Sequence, residues 1–399
     1  MFSSSIRTEY LQPSKDVKNN QIEFKIPSGK VLMAAPRLVD LGGVASGNTN
    51  IAHSTLAGIM SVVERIAVYS GANEIESIGQ VPQLMAFLVA NNSIDKALSE
   101  VNATHGSKVG VVVDIAGTMH RTPIAEGTRI KAAVDADCGL SMVSLARLSG
   151  FLSSGMISTE KHPDLRIVLY LNKGTYTSTP ANYVENLRPV LAVDMTADPD
   201  VLKEANAQAS KQFKTFEYDR QYLPVITADA TQRVRMNNFT NKMVERFIIQ
   251  TEATGAVVSG VAALPDDILG SMRLHGSKFQ VYLNNDNLYP DSGVSEALKD
   301  AITADAWGPV IKCPADNVSS GIHADVAAKA DADIKPLRDY CGGDIMNKVH
   351  SLEVEVSRKF NNAANAAATR DNQAVYLNCF GEVLKSVVYS PSGYSVVYN

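Results

Sequence analysis

Strict alternation of apolar and polar residues recurs along this chain in short bursts, and it constrains the fold more than any other feature. Leu352-Glu353-Val354-Glu355-Val356 is the sharpest case. Ile22-Glu23-Phe24-Lys25-Ile26, Leu165-Arg166-Ile167-Val168-Leu169-Tyr170-Leu171 and Phe279-Gln280-Val281-Tyr282-Leu283 repeat it. A period of two belongs to a β-strand with one buried face. Each inward aliphatic side chain is worth about 1.5–3 kcal/mol on full burial. A slip of one residue would bring Glu353 and Glu355 into the core, so register is strongly specified.

Further strands are expected at Val31–Leu41, Val62–Tyr69, Val109–Ile115, Thr128–Val134, Val190–Val193, Val244–Gln250, Val375–Phe380, Val383–Tyr389 and Tyr394–Tyr398. Turn residues separate them, among them Gly42-Gly43, Ser70-Gly71, Asn172-Lys173-Gly174, Asn284-Asn285-Asp286-Asn287 and Ser390-Pro391-Ser392-Gly393. Many short strands with such punctuation predict β-sandwiches. Helices are few and short. The clearest spans Pro199–Phe213, with Asp198 as N-cap, Pro199 in the first turn, and Val201, Leu202, Ala205, Ala209 and Phe213 as its apolar stripe. Others are expected at Pro82–Ala90, Ile94–Val101 and Val294–Thr303. The Val109–Ile115 run would also suit a parallel α/β sheet, but helices of ten or more residues do not recur between strands as that fold needs.

The segment Met60–Ile75 reads as strand, turn and then a helical stretch, and Met272–Tyr289 echoes it about half a chain later. That echo supports two similar sandwiches. The natural boundary falls between Asp194 and Asp229, where the capped helix and the polar stretch Glu217-Tyr218-Asp219-Arg220-Gln221-Tyr222 link the halves.

Composition narrows the function classes. Across 399 residues, 45% hydrophobic and 20% charged content is that of a globular chain, and a net charge of −5 gives no basic surplus for neutralising phosphates. Sequence-specific binding to nucleic acid is therefore not expected. Met1–Tyr10 lacks the apolar core of a secretory signal, and no run of about 18 apolar residues would span a membrane.

The search for chemistry yields no catalytic, cofactor-binding or metal-binding residues. GxSxG, HExxH and GxxxxGK patterns are absent, and Gly42-Gly43-Val44-Ala45-Ser46-Gly47 reads as a flexible loop. Four cysteines, Cys138, Cys313, Cys341 and Cys379, are widely spaced and read as free thiols. Zinc held by Cys313, Cys341 and His323 or His350 would match no known spacing. The seven histidines, His53, His105, His120, His162, His275, His323 and His350, are dispersed, without i+2 or i+4 pairs. Asp325, Asp331 and Asp333 lack the order of a calcium loop, and Asp135-Ala136-Asp137 likewise reads as solvated. Sequons at Asn91, Asn102, Asn238 and Asn317 read as chance matches, and Trp307 suits a loop or interface anchor. No enzyme is expected, and no cofactor.

One stretch carries a resemblance. Leu145-Ala146-Arg147-Leu148-Ser149-Gly150-Phe151-Leu152 leads through Ser153–Lys161 into His162-Pro163-Asp164 and the strand Leu165–Leu171. Tyr183-Val184-Glu185-Asn186-Leu187 and Pro189–Asp194 follow. This resembles the later strands of the first roll in double-jelly-roll major capsid proteins of double-stranded DNA viruses, the lineage of adenovirus hexon, virophages, polinton-like viruses and large eukaryotic DNA viruses. Gln21–Leu41 is similar to that family's opening strand pair, Arg65–Ile78 to the strand-turn-strand at mid-roll, and Val234–Gln250 and His275–Pro290 to their counterparts in the second roll.

The resemblance implies a mainly β fold of two consecutive eight-stranded jelly rolls with a few short helices. Its divisions would be an N-terminal arm (1–20), a first roll (21–197), a linker helix and crossing (198–228) and a second roll (229–399). It implies a homotrimer forming a pseudo-hexameric capsomer that tiles an icosahedral shell, assembled inside the host cell and located in the virion. Its partners would be copies of itself, neighbouring capsomers, and penton, minor capsid or cement proteins. The arm would order on assembly, and Ala304–Gly343 would form an outward loop of the second roll or lie at trimer contacts. The competing readings are a minor capsid or spike component, and a β-sandwich enzyme or carbohydrate-binding protein that stacks sugars on Tyr170, Tyr176, Tyr183 and Tyr282.

Overall fold

The computed structural model describes residues 6–14, 20–39, 51–53, 60, 62–90, 109–113, 119–123, 128–130, 142–171, 189–253, 278–287, 322–325, 347–360, 372 and 374–398. The first half holds β1 (Arg7–Leu11), β2 (Gln21–Lys25), β3 (Val31–Leu32), β4 (Arg37–Val39), β5 (Ile51–His53), β6 (Val63–Ser70) and β7 (Asn73–Gly79). Helix α1 (Val81–Ala90) follows, then β8 (Val109–Val113), β9 (Met119–Pro123), β10 (Thr128–Ile130) and β11 (Met142–Ser144). Next come α2 (Gly150–Ser153), β12 (Ile157–Ser158), β13 (Leu165–Leu171), β14 (Val190–Thr196) and α3 (Pro199–Ala207). The second half holds β15 (Ser210–Leu223), β16 (Ala230–Arg235), β17 (Met243–Ala253), β18 (Lys278–Leu283) and β19 (Asp286–Asn287). It ends with β20 (Ile322–Asp325), β21 (Asn347–Lys348), β22 (Leu352–Arg358), β23 (Val375–Ser390) and β24 (Gly393–Tyr398).

Antiparallel ladders sort these strands into two sets with the same wiring. In the first set, β1 pairs β14, β14 pairs β3 and β4, and these pair β12 and β11; the facing sheet runs β2-β13-β6-β7. In the second set the sheets run β15-β23-β17-β20, with β21 also on β17, and β16-β22-β18-β19. Ranking the strands by sequence within each set gives the orders 1-8-3-6 and 2-7-4-5 both times. That wiring of two facing sheets is the jelly roll, and the chain contains it twice. The sixth-ranked strand is split in both rolls, into β11 and β12 and again into β20 and β21.

The alternation read from the sequence builds the cores. Phe24, Ile167 and Val68 lie side by side across three strands, and Ile22, Leu169 and Ile66 form the next row. All six are buried against Leu38, Val143, Leu191 and Val193 of the facing sheet. In the second roll Leu352, Val354 and Val356 point inward and Glu353 and Glu355 are half-buried on the other face. The echo between Met60–Ile75 and Met272–Tyr289 falls on the same feature of each roll, the hairpin of the fourth and fifth strands.

Several expectations change. Arg7–Leu11, placed in a polar arm, is the first strand of the first roll, in register with β14 from Arg7 opposite Met195 to Leu11 opposite Leu191. As an edge strand it leaves most of its side chains wet, so no alternation announces it. The Val31–Leu41 strand is two short pieces around Met33–Pro36, because proline cannot donate to a ladder. The helix capped by Asp198, whose carboxylate accepts from Asp200 N–H at 3.0 Å, ends at Ala207 rather than Phe213. Residues 210–223, assigned to the crossing, are the first strand of the second roll. Val375–Phe380 and Val383–Tyr389 are one strand running through Gly381, where an added Cβ would lie 2.5 Å from the Phe239 ring. Within Ala304–Gly343, Ile322–Asp325 forms β20 of the second roll. The expected helices Ile94–Val101 and Val294–Thr303 and the Tyr183–Leu187 strand lie outside the described residues.

The pairing of β5 with β10 ties two long connections together, one between the third and fourth strands and one between the fifth and sixth. Both therefore leave the first roll at the same end.

Candidate functional site: the seam between the rolls

The first roll's apolar core does not stop at its own edge. Phe213, Phe216, Ile248, Phe380 and Val387 of the second roll belong to the same buried cluster, with Tyr218, Tyr389, Tyr394 and Val396 packed against it. The strands that reach across are β15, the far end of β23 and β24. Their landing area is β7 and α2 of the first roll.

At the centre lies Glu76 on β7, fully buried. Its carboxylate accepts a short hydrogen bond from the Ser149 hydroxyl, and backbone N–H bonds from Gly150 at 2.9 Å and Phe151 at 3.3 Å. Ser149 also caps α2 by accepting from Leu152 N–H at 3.1 Å. Burial pushes the Glu76 carboxyl above its usual range. The Ser149 and Thr215 hydroxyls, the Gly150 N–H and Lys385 pull it partly back, and Thr215 and Lys385 come from the second roll. A glycine is required beside it: a Cβ on Gly150 would lie 1.5 Å from the Lys214 carbonyl oxygen.

A buried ion network backs this contact. Lys385 on β23 pairs with Glu217 on β15 at 2.9 Å, and Lys242 binds the same carboxylate. The Tyr398 ring of β24 covers both ammonium groups, 4.5 Å from Lys242 and 4.6 Å from Lys385. Burial alone would raise the Glu217 carboxyl, but the two lysines outweigh it and hold it below its ordinary value. The same pairing raises Lys385 against its own desolvation.

His162 forms the second focus. It is fully buried and ringed by Phe151, Tyr389 and Tyr394 at centroid distances of 5.2, 5.4 and 5.0 Å. Its Nε2 shares a 2.8 Å hydrogen bond with the Tyr389 hydroxyl, and Nδ1 has no hydrogen-bond partner among the described residues. Desolvation, with Lys211 and Lys161 nearby, lowers its pKa from 6.5 to about 4, so the ring is neutral at pH 7. The lysines bind backbone carbonyls across the seam: Lys211 Nζ donates to Met156 O at 2.8 Å and Ser154 O at 3.2 Å, and Lys161 donates to Gln208 O. Tyr394 donates to Ser70 O at 2.9 Å.

No candidate considered on sequence grounds for catalysis or metal binding joins another here. Cys379 is a buried free thiol in the second roll's core, His350 is exposed, and Cys138, Cys313, Cys341, Trp307, Asp331 and Asp333 lie outside the described residues. Among the described residues no group of three or more His, Cys, Asp or Glu side chains could hold a metal ion. Asn238 is exposed and its amide donates to Tyr218 O at 2.6 Å. Tyr170 and Tyr282 have their faces occupied by Arg65 at 3.8 Å and Arg233 at 3.7 Å. Sequence reasoning treated His162 as one of several dispersed histidines and gave Glu76, Glu217, Lys242 and Lys385 no role. Their partners are 25 to 227 residues away, so no local spacing could have revealed them.

Two like-wired rolls sharing a continuous core define a double-jelly-roll fold, the architecture of viral major capsid proteins. Solved structures of this fold match the chain over nearly its whole length. Vp54 of the virus PBCV-1, in a crystal structure fitted into a reconstruction of the virophage Sputnik, has a TM-score of 0.60 at 10% identity, over 100% of this chain and 98% of Vp54. The Faustovirus major capsid protein has a TM-score of 0.56 at 9% identity, over 96% of this chain and 90% of its own. A chain of the Sputnik virophage has a TM-score of 0.51 at 10% identity, over 99% and 88%. No protein-family model and no curated protein matches the sequence. At such identities the likeness establishes the fold.

Proposed function

We propose that this chain is the major capsid protein of a double-stranded DNA virus, a structural protein and not an enzyme. Three copies associate into a capsomer of six rolls with a nearly hexagonal outline, and such capsomers tile the icosahedral shell of the virion. Neighbouring capsomers are its main partners, and penton, minor capsid or cement proteins fill the remaining positions. The observation that carries this reading is the seam. A shell tile has to be rigid, and close packing supplies rigidity. Here a shared apolar core and hydrogen bonds that cross the seam, from Lys211 to Ser154 O and Met156 O and from Tyr394 to Ser70 O, fix the two rolls to each other, where a flexible linker would leave them free. The full-length likeness to the Faustovirus and PBCV-1 proteins supports the same reading.

The sugar-binding alternative needs open aromatic faces, and the described tyrosines it relied on are covered by guanidinium groups. Sedimentation of the purified protein tests the proposal: it predicts a species of three chain masses, or larger shells, and a stable monomer at micromolar concentration would reject it.

A further inference from the structure

The seam has a direction. The first-ranked strand of the second roll, β15, meets the fifth-ranked strand β7 and the insertion within the sixth-ranked strand of the first roll. Lys211 and Thr215 of β15 lie against Ser154, Met156 and Glu76. One edge of a roll therefore fits a different edge of the next. A contact between unlike surfaces continues to propagate until rotation closes it into a ring. A single chain satisfies this contact once. Left over are the first-strand edge of the first roll, at β1, and the fifth- and sixth-strand edge of the second roll, at β18, β19 and β21.

The β1 edge is built to be covered. Tyr10 is 67% exposed and Ile6, just before the strand, 41%. Tyr10 stands opposite Ala192, one residue from the row Leu11, Leu191, Leu38 and Val143. Leu191, Leu38 and Val143 of that row are buried in the core, so Tyr10 lies on the outer face of the sheet. The strand itself is held firmly. Asp194 accepts from the Thr8 hydroxyl at 2.6 Å and from Arg37 at 2.8 and 3.0 Å, and Glu9 pairs with Lys30. Its anchoring charges Glu9 and Asp194 are paired within the roll, and Tyr10 is the exposed apolar side chain of the strand.

We propose that this β1 edge, with Tyr10 at its centre, docks on the β18–β19 hairpin and the β21–β22 turn of a second copy of the chain. The inference rests on the capsomer reading and specifies the contact that closes it. It also implies unequal seams. β15 has 14 residues and β23 has 16, against 5 in β1 and 7 in β14. The extra length, together with β24, carries the buried network of Glu217, Lys242, Lys385 and Tyr398. The contact between chains lacks those extensions and separates first.

The test places a photoreactive benzophenone amino acid at position 10 of the full-length chain, in an equal mixture of isotopically light and heavy protein. Irradiation is expected to give light–heavy cross-links to residues 278–287 or 347–351. Separately, Tyr10→Glu is expected to weaken association by roughly tenfold or more, as loss of an interface aromatic does, while the monomer's melting temperature holds. A trimeric wild type whose position 10 links only within its own chain or to other regions, with Y10E still fully trimeric, would overturn the docking edge and leave the capsomer reading standing. A monomeric wild type would overturn both.

Discussion

Glu76 holds the seam by satisfying donors that water cannot reach. Replacing it by alanine leaves the Ser149 hydroxyl and the Gly150 and Phe151 N–H groups unpaired in a dry interior. Each such group costs about 1–3 kcal/mol, so Glu76→Ala is expected to lower stability by roughly 3 kcal/mol or more in urea unfolding, and an unchanged midpoint would contradict the role. Gly150→Ala tests the same place sterically. Its methyl would collide with a backbone carbonyl, and overpacking of this kind costs about 1–3 kcal/mol and occasionally more. Differential scanning calorimetry should show a clearly lower melting temperature. His162 gives the seam a pH dependence of known sign. Its folded pKa of about 4 lies below the ordinary 6.5, so folding favours the neutral ring. That contribution is fully present above pH 6.5 and is lost as pH falls through 4, a change of roughly 3 kcal/mol as an upper limit. Glu76, with its raised carboxyl, has the opposite sign: its contribution is present at low pH and is lost as pH rises above its ordinary value. Comparison with His162→Phe isolates the histidine. The stability gap between wild type and H162F should shrink between pH 7 and pH 4, and a constant gap would exclude the buried neutral imidazole as the cause.

The elements divide into those that joined a sheet by alternation and those that joined by pairing charges. β2, β13 and β22 were legible because every second side chain enters a core, and Val281 and Leu283 of β18 follow the same pattern. β15 was not, because Lys211 and Glu217 are charged yet buried, and the sequence shows a charge without showing its partner. β1 was missed for the opposite reason: an edge strand exposed to water needs little apolar content. The helix before β15 overran to Phe213 because a strand residue happened to fall at helical spacing. The seam itself was illegible, since its contacts join residues far apart in the chain. β24 reaches across the seam by sending Tyr394 to Ser70, and within its own roll it covers Lys385 and Lys242 with Tyr398. Truncation before Pro391 is therefore expected to open the seam while leaving the second roll's own core intact. Limited proteolysis should then cut within residues 198–209 of the truncated chain and spare them in the full chain; equal resistance in both would show that β24 is dispensable.

At the scale of the whole molecule, alternating strands and one internal echo supported two similar sandwiches, and the double roll was what the family resemblance implied. The present structure adds that both rolls share the wiring 1-8-3-6 and 2-7-4-5 and are joined edge to unlike edge. A chain with two similar units and a directional contact is suited to a closed ring of six units from three copies. Class averages of the purified full-length protein in negative stain test this most directly. The account predicts three-fold particles with six lobes and a nearly hexagonal outline. Isolated two-lobed particles at concentrations well above micromolar would contradict it.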